Sequence, residues 1–313
     1  MTVPRIAIIG AGMAGLACAS RLAAAGLSPR VFDKGRGIGG RLATRRAGEG
    51  RQFDHGAQYL SARSDEFRAV LDKICGAGAG AFWEDGSREH HVVGVPGMSA
   101  LAKHLGQGLE ITQLAEVTAV RKVGGGWLVA FGETSETFDK VVLATPAPQT
   151  RALLGPDHAV TKTIGAASFD PCLTLMVAFA PGQPAPFVTR RDGDDPIAWI
   201  ALDSSKPGRG SEACWVAQAG PAWSHEHLEA DKEEIARRMI PLVCDRLGAD
   251  PAAITHAAAH RWRYANVSQP FGRPFASSDD QTLFAGGDWC LGPRVESAWT
   301  SGMAIADALL ERD

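Results

Sequence analysis

The segment RIAIIG (5–10) is a short apolar run without polar alternation, the pattern of a strand buried on both faces. MAGLACASRLAAAG (13–26) is rich in Ala and Leu and closes on Gly26, which predicts a helix with a glycine stop. PRVFDK (29–34) reads as the next strand, so the chain opens with a strand–helix–strand unit. KVVLATPAP (140–148) predicts another buried strand running into a proline turn, and QTLFAGGD (281–288) a third. VESAWTSGMAIADALLER (295–312) predicts a closing helix. These pieces are far apart but alike in style. The simplest arrangement is one α/β layer assembled from discontinuous segments.

Other stretches alternate. Residues 109–138 alternate and turn at Gly124-Gly125-Gly126, which suggests antiparallel strands. Residues 171–180, 195–206 and 212–220 are separated by Pro/Gly turns, as in an antiparallel sheet. Residues 226–248 predict an amphipathic helix, charged early, with a kink or break at Pro241. A second domain from about 155 to 270 follows from this change of pattern.

Composition narrows the function. The 313 residues suggest about two domains, and 45% apolar content is ample for buried cores. Lys and Arg (32) are outnumbered by Asp and Glu (35), and RLATRR (41–46) is too short for a basic face, so no nucleic-acid partner is expected. The six cysteines show no CxxC pair, which fits free thiols in a reducing, cytoplasmic setting. No stretch reaches the roughly 20 apolar residues of a membrane span. The N-terminal run resembles a secretory signal, but its three glycines have a better use. His256 and His260 share i, i+4 spacing without the Glu of a zinc helix, so no metal is expected. His225 and His227 read as solvated.

Gly10, Gly12 and Gly15 form G-x-G-x-x-G between the first strand and its helix. Gly10 permits the tight turn, Gly12 lets backbone approach a pyrophosphate, and Gly15 lets helix pack on strand. The helix N-terminus offers free N–H groups and partial positive charge to phosphate. Asp33, at the end of the second strand, is placed to accept from a ribose diol and to repel a 2′-phosphate. NAD and FAD satisfy this equally. The next loop separates them. Gly39-Gly40-Arg41 brings backbone close to a cofactor and adds a guanidinium fork for pyrophosphate, which a plain NAD dehydrogenase does not need. FDHGAQYLSAR (53–63) then places Gly56 and Ala57, small enough for chain to lie along a flat ring.

Asp33-x5-Gly-Gly-Arg with DHGAQY resembles the flavin-containing amine oxidase superfamily, and more closely its renalase branch. GVPGMSALAKHL (94–105), ATPAP (144–148), HRWRYA (260–265) and GDWCLGPRVESAW (287–299) carry the same resemblance. The resemblance implies an α/β protein: a Rossmann-type FAD-binding domain over 1–60, 94–155 and 271–313, with a mainly antiparallel-sheet substrate domain over 61–93 and 156–270. This is the amine oxidase / p-hydroxybenzoate hydroxylase-like architecture. It implies non-covalent FAD, Cys290 notwithstanding. Cofactor contacts are expected from Gly10, Ala11, Gly12, Met13, Ala14, Gly15, Asp33 and Lys34, then from Gly40, Arg41, His55, Gly56, Ala57, Gln58 and Met98. Val117, Ala144, Thr145, Gly287, Asp288, Val295, Glu296 and Ala298 complete the set. Asp288 either accepts from a ribityl-side hydroxyl or serves the helix cap; both can hold. The helix from Val295 is expected to direct positive potential at flavin N1 and O2.

Tyr59 and Tyr264, the only tyrosines, and Trp262 are the candidate substrate walls, against a core-filling alternative. Trp289 and Trp299 are expected near the flavin. The resemblance implies an oxidase passing hydride from isomeric 2- or 6-dihydro-NAD(P) to flavin N5, with dioxygen returning hydrogen peroxide. The alternatives are a flavin amine oxidase acting on a small amine and a non-catalytic FAD-binding redox sensor. The oligomeric state is not readable from these residues.

Overall fold

The computed structural model describes residues 3–48, 50–87 and 89–311; Arg312, the last residue of the expected closing helix, lies outside them. The chain forms two compact units. The first comprises residues 1–42, 102–169 and 267–313, and the second 43–101 and 170–266.

The first unit is built on a six-stranded sheet. Its order is Ala276–Ser277, Leu283–Ala285, Lys140–Leu143, Ile6–Ile9, Arg30–Phe32 and Glu110–Thr112. All neighbours are parallel except the edge strand Ala276–Ser277. Ile8 lies opposite both Val142 and Val31, so the opening strand is central, and all its residues are buried. The expected helix spans Met13–Ala24, and Gly26 follows it at φ 87°. The closing helix Val295–Leu310 packs against it closely. A Cβ on Gly302 would stand 2.1 Å from the Ala14 carbonyl oxygen, so only glycine allows this approach. A three-stranded antiparallel sheet, Val117–Val123, Gly126–Phe131 and Thr134–Phe138, turns at the triple glycine as expected. Its inward side chains, Val120, Trp127, Val129 and Phe138, join Phe32, Val141 and Leu143 in one core.

The second unit holds a five-stranded sheet ordered Thr189–Arg191, Trp199–Leu202, Cys214–Gln218, Ser168–Phe179 and Ile254–Gln269. Period-two alternation splits its faces. Leu173, Leu175, Val177, Trp215 and Ala217 meet Ile235, Met239, Val243 and Leu247 of a helix. Met176, Ala178, Cys214 and Val216 meet Phe53 on the other side. Two two-stranded hairpins complete the unit, Thr44–Arg46 with Gln52–Asp54 and Gly80–Trp83 with His91–Gly94.

Two expectations are corrected. The helix expected over 226–248 is two helices, Pro221–Glu226 and Lys232–Leu247. The break comes at Asp231, whose side chain caps Glu234 N–H at 2.7 Å, and the helix runs on through Pro241 with its apolar face anchored in the core. The dividing points also differ from those read in the sequence. Residues 43–60 and 94–101 belong to the second unit, because Phe53 is buried against Met176 and Val216 and Arg51 pairs with Glu212 at 2.7 Å. Residues 156–169 belong to the first, where Val160, Ile164 and Ala167 are buried and Arg151 donates to the Ile164 and Ala167 carbonyls.

Candidate active site

Parallel strands end on one sheet edge, and that edge is where open α/β sheets take ligands. Here each strand end is tied to the next. Gly10 N–H donates to Phe32 O at 2.7 Å, Asp33 N–H to Thr112 O at 2.9 Å, Ala144 N–H to Ile9 O at 2.8 Å and Gly286 N–H to Leu143 O at 3.0 Å. Residues separated by as much as 278 positions in sequence therefore share one edge: Gly10–Gly15, Asp33–Lys34, Ala144–Thr145 and Gly287–Asp288.

The glycine fingerprint has the space a dinucleotide needs. A Cβ on Gly15 would stand 1.9 Å from Gly10 O, so helix and turn are in contact there. A Cβ on Gly12 would meet nothing within 4 Å, so the face above it is open. Gly12 begins the helix without any side-chain cap, and its first turn, which includes Met13 and Ala14, holds no acid. Its N–H groups are the ordinary unpartnered donors of a helix start, suited to an anion. Asp33 accepts from Ala11 N–H and Gly35 N–H, both at 2.7 Å. Those bonds fix the carboxylate and leave each oxygen a further lone pair for a diol. Gly39 N–H donates to Ala11 O at 2.8 Å, which draws the Gly39-Gly40-Arg41 loop over the fingerprint. These residues fit a pyrophosphate-linked cofactor.

Arg41 and Asp288 meet as a bidentate pair, Nη1 to Oδ2 at 2.6 Å and Nη2 to Oδ1 at 2.7 Å. Asp288 is buried, and Trp289 N–H donates to its Oδ1 at 3.0 Å. The helix-cap alternative for Asp288 is not what is found, because the closing helix is preceded by Arg294 and has no side-chain cap. Glu296 is buried in the first turn of that helix, 3.8 Å from Arg294. Trp289 is wholly enclosed with its Nε1–H on Thr145 O at 3.0 Å, so it fills core instead of facing a ligand. Val117 is likewise a core residue.

The second unit carries the remaining candidates. His260, Trp262 and Tyr264 alternate along Ile254–Gln269 and so share a strand face. Trp262 Nε1–H donates to His55 O at 2.7 Å and stacks on the His55 ring at 5.3 Å and 25°. His260 stands edge-on to His55 at 4.7 Å between centroids. Burial lowers the pKa of His55 to about 4 and of His260 to about 3; the Arg45 charge adds to both, and His55 adds to His260. His55 Nδ1 is enclosed and makes no hydrogen bond. Both imidazoles are therefore neutral at pH 7. Tyr59 is stacked on His91 at 3.6 Å and 20°.

One cluster escaped the sequence reading. Lys206 Nζ, fully enclosed, donates to Asp203 Oδ1 at 2.6 Å, to Asp54 Oδ2 at 3.3 Å and to Gln58 Oε1 at 3.3 Å. Arg209 also reaches Asp54 Oδ2 and the Gly94 and Pro96 carbonyls. Asp54 Oδ1 accepts Met98 N–H at 2.9 Å and Thr44 Oγ1–H at 2.6 Å. Burial alone would raise the Asp54 carboxyl, but Lys206, Arg209 and these bonds hold it below the usual range. Burial pushes the Asp203 carboxyl up. This box ties Asp54–Gln58, the Gly94–Met98 turn and the Asp203–Arg209 segment together. Gly56 O also accepts Gln58 Nε2–H at 3.1 Å and Gln218 Nε2–H at 2.8 Å, which fixes the Gly56-Ala57 backbone. Met98 is fully enclosed, so its side chain anchors this turn and offers no surface to a cofactor. Asp203 and Lys206 fell within residues 195–206, read only as one segment of an antiparallel sheet.

Neutral histidines set a pH dependence. Unfolded histidines take a proton near pH 6.5, while His55 and His260 resist it down to about pH 4 and about pH 3. Between those values the unfolded chain binds more protons, so acid favours unfolding. Stability is expected to fall as pH drops from 6.5 toward 4, and a His55→Phe, His260→Phe double variant to show a shallower slope. Denaturant midpoints at pH 7, 5.5 and 4.5 measure it. Equal slopes in the two proteins would remove the histidines as the cause.

Among the described residues no group of His, Cys, Asp and Glu forms a metal site, and no helix is long and apolar enough to cross a membrane. The cysteines are free.

The fold and this edge define a Rossmann-type layer built to hold a dinucleotide cofactor. The model of the NAD(P)-binding Rossmann-like domain matches residues 8–74, and that of the flavin containing amine oxidoreductases matches residues 74–310. The chain belongs to the flavin-containing amine oxidoreductase family, and its cofactor is FAD. Similar solved structures include a putative protoporphyrinogen oxidase from Exiguobacterium sp. 255-15, 16% identical over 100% of both chains at a TM-score of 0.75. Cyclohexylamine oxidase from Brevibacterium oxydans IH-35A is 12% identical over 99% of both chains at 0.72. Putrescine oxidase, solved with putrescine bound, is 14% identical over 99% of both chains at 0.67. At these identities the likeness is one of fold.

Proposed function

We propose that this protein is a renalase-type oxidase that converts 2- or 6-dihydro-NAD(P) to the aromatic nucleotide. FAD, when bound, would supply a two-electron acceptor that dioxygen could reoxidise with release of hydrogen peroxide. Gly10–Gly15 and Asp33 would hold the adenine-side half of FAD, and Arg41 and Asp288 would hold the pyrophosphate and ribityl side. His55–Gln58, fixed by the buried charge box, would lie along the ring.

The observation that carries this reading is the uncharged His55–Trp262–His260 surface. With pKa values of about 4 and about 3, neither imidazole is a competent base at neutral pH. An amine arriving as an ammonium must lose a proton before it can give up hydride. A dihydropyridine gives hydride directly and gains aromaticity, so it needs only a flat apolar wall and correct placement. Trp262 and Tyr264 would supply the wall.

Oxidation of a small amine is the second reading, favoured by the family match. Peroxide release under air separates the two. The dihydronucleotide isomers are expected to give peroxide at rates far above putrescine or cyclohexylamine. Peroxide from amines alone would establish the second reading, and none from any reductant would leave a non-catalytic flavin binder.

A further inference from the structure

We propose that Arg191 is an anion-binding residue that receives the phosphate-bearing part of the substrate, an assignment that rests on the dihydronucleotide reading. Arg191 lies on the edge strand Thr189–Arg191, directly across from Trp199. Its Cζ sits 5.2 Å from the Trp199 ring centroid, and its Nη2–H donates to the Tyr59 hydroxyl at 2.9 Å. The Tyr59 ring is itself fixed, stacked on His91, whose Nδ1 lies 2.8 Å from Asp85 Oδ2. The guanidinium is thus held by an aromatic face and a phenol, both part of a supported array.

The neighbouring arginine sets the contrast. Arg190 is neutralised by Asp192 at 3.3 Å and Asp195 at 3.4 Å. Arg191 is exposed, and among the described residues it has no carboxylate partner. Its remaining N–H donors are free to form a fork. An ordered cation gives up little side-chain entropy when it captures a ligand, which separates it from an ordinary surface arginine. Phosphate and pyrophosphate oxygens match that fork. The Arg191 guanidinium beside the Tyr59 hydroxyl would repel an ammonium substrate and attract a dinucleotide.

The test uses the FAD-loaded full chain and calorimetric titration with NAD+ and with nicotinamide riboside, which lacks phosphate. Wild type is expected to bind NAD+ at least about tenfold more tightly than the riboside. Arg191→Ala and Arg191→Gln should weaken NAD+ binding about tenfold and leave riboside binding unchanged, while Arg191→Lys should recover part of the loss. Equal weakening of both ligands would mean that Arg191 only supports Tyr59 and would overturn the assignment. So would unchanged NAD+ binding, or a wild type without preference for NAD+. Flavin bleaching by the dihydronucleotides, run on the same wild-type sample, keeps the two claims separate. Failure to bleach removes the oxidase reading, whereas a preference for NAD+ lost only in the Arg191 variants still supports the anion site.

Discussion

Asp288→Ala is expected to purify with little FAD, its dissociation constant raised roughly a hundredfold, or about 2–3 kcal/mol. The carboxylate accepts both Arg41 bonds and the Trp289 N–H from an almost enclosed position. Without it Arg41 loses its bidentate carboxylate partner, and the loop that covers the fingerprint loses that tie to the far end of the sheet edge. Asp288→Asn should fall between, because it can keep one bond but not the charge. Arg41→Ala should act in the same direction and more weakly, since a third of that side chain is in solvent. The flavin-to-protein absorbance ratio reads the loss. Full FAD retention in Asp288→Ala would reduce the pair to a structural link.

Lys206→Met carries the other large effect. Its ammonium is the shared donor for Asp203, Asp54 and Gln58, all enclosed. Asp54 keeps Arg209, Met98 and Thr44, but the buried Asp203 carboxylate loses its close ammonium partner, and stranding a buried charge typically costs about 3–5 kcal/mol. Urea unfolding should show a loss of that size. Neutralising Asp203 as well, in Asp203→Asn with Lys206→Met, should recover part of it, because the stranded charge is gone. A loss under about 1 kcal/mol in the single variant would mean that water already solvates the box.

These two sites mark how much the sequence discloses. The glycine fingerprint, Asp33 and the Gly-Gly-Arg loop were legible because each needs a particular residue at a particular local spacing. Asp288 was legible as a turn residue on a strand end, but its pairing with Arg41 spans 247 positions and only the parallel sheet brings the two together. The charge box was not legible. Burial of Lys206 depends on segments near residues 54, 94 and 203 converging, and an isolated Lys in a Pro/Gly loop reads as solvated. The unit boundary near 43–60 was missed for a related reason. The hairpin that precedes His55 looks like a continuation of the cofactor loop, yet Phe53 packs against Met176 and Val216 and Arg51 pairs with Glu212. Tyr59 was named for its motif, and its ties to His91 and Arg191 are again long-range.

The central claim is hydride donation by a dihydronicotinamide without a protein base. The most direct measurement mixes the FAD-loaded protein anaerobically with 2- and 6-dihydro-NAD, and separately with putrescine, while following flavin absorbance. We expect bleaching within a single turnover by at least one dihydro isomer, one NAD+ formed per flavin reduced, and none by the amine. Bleaching by putrescine, with both dihydro isomers inert, would contradict the account.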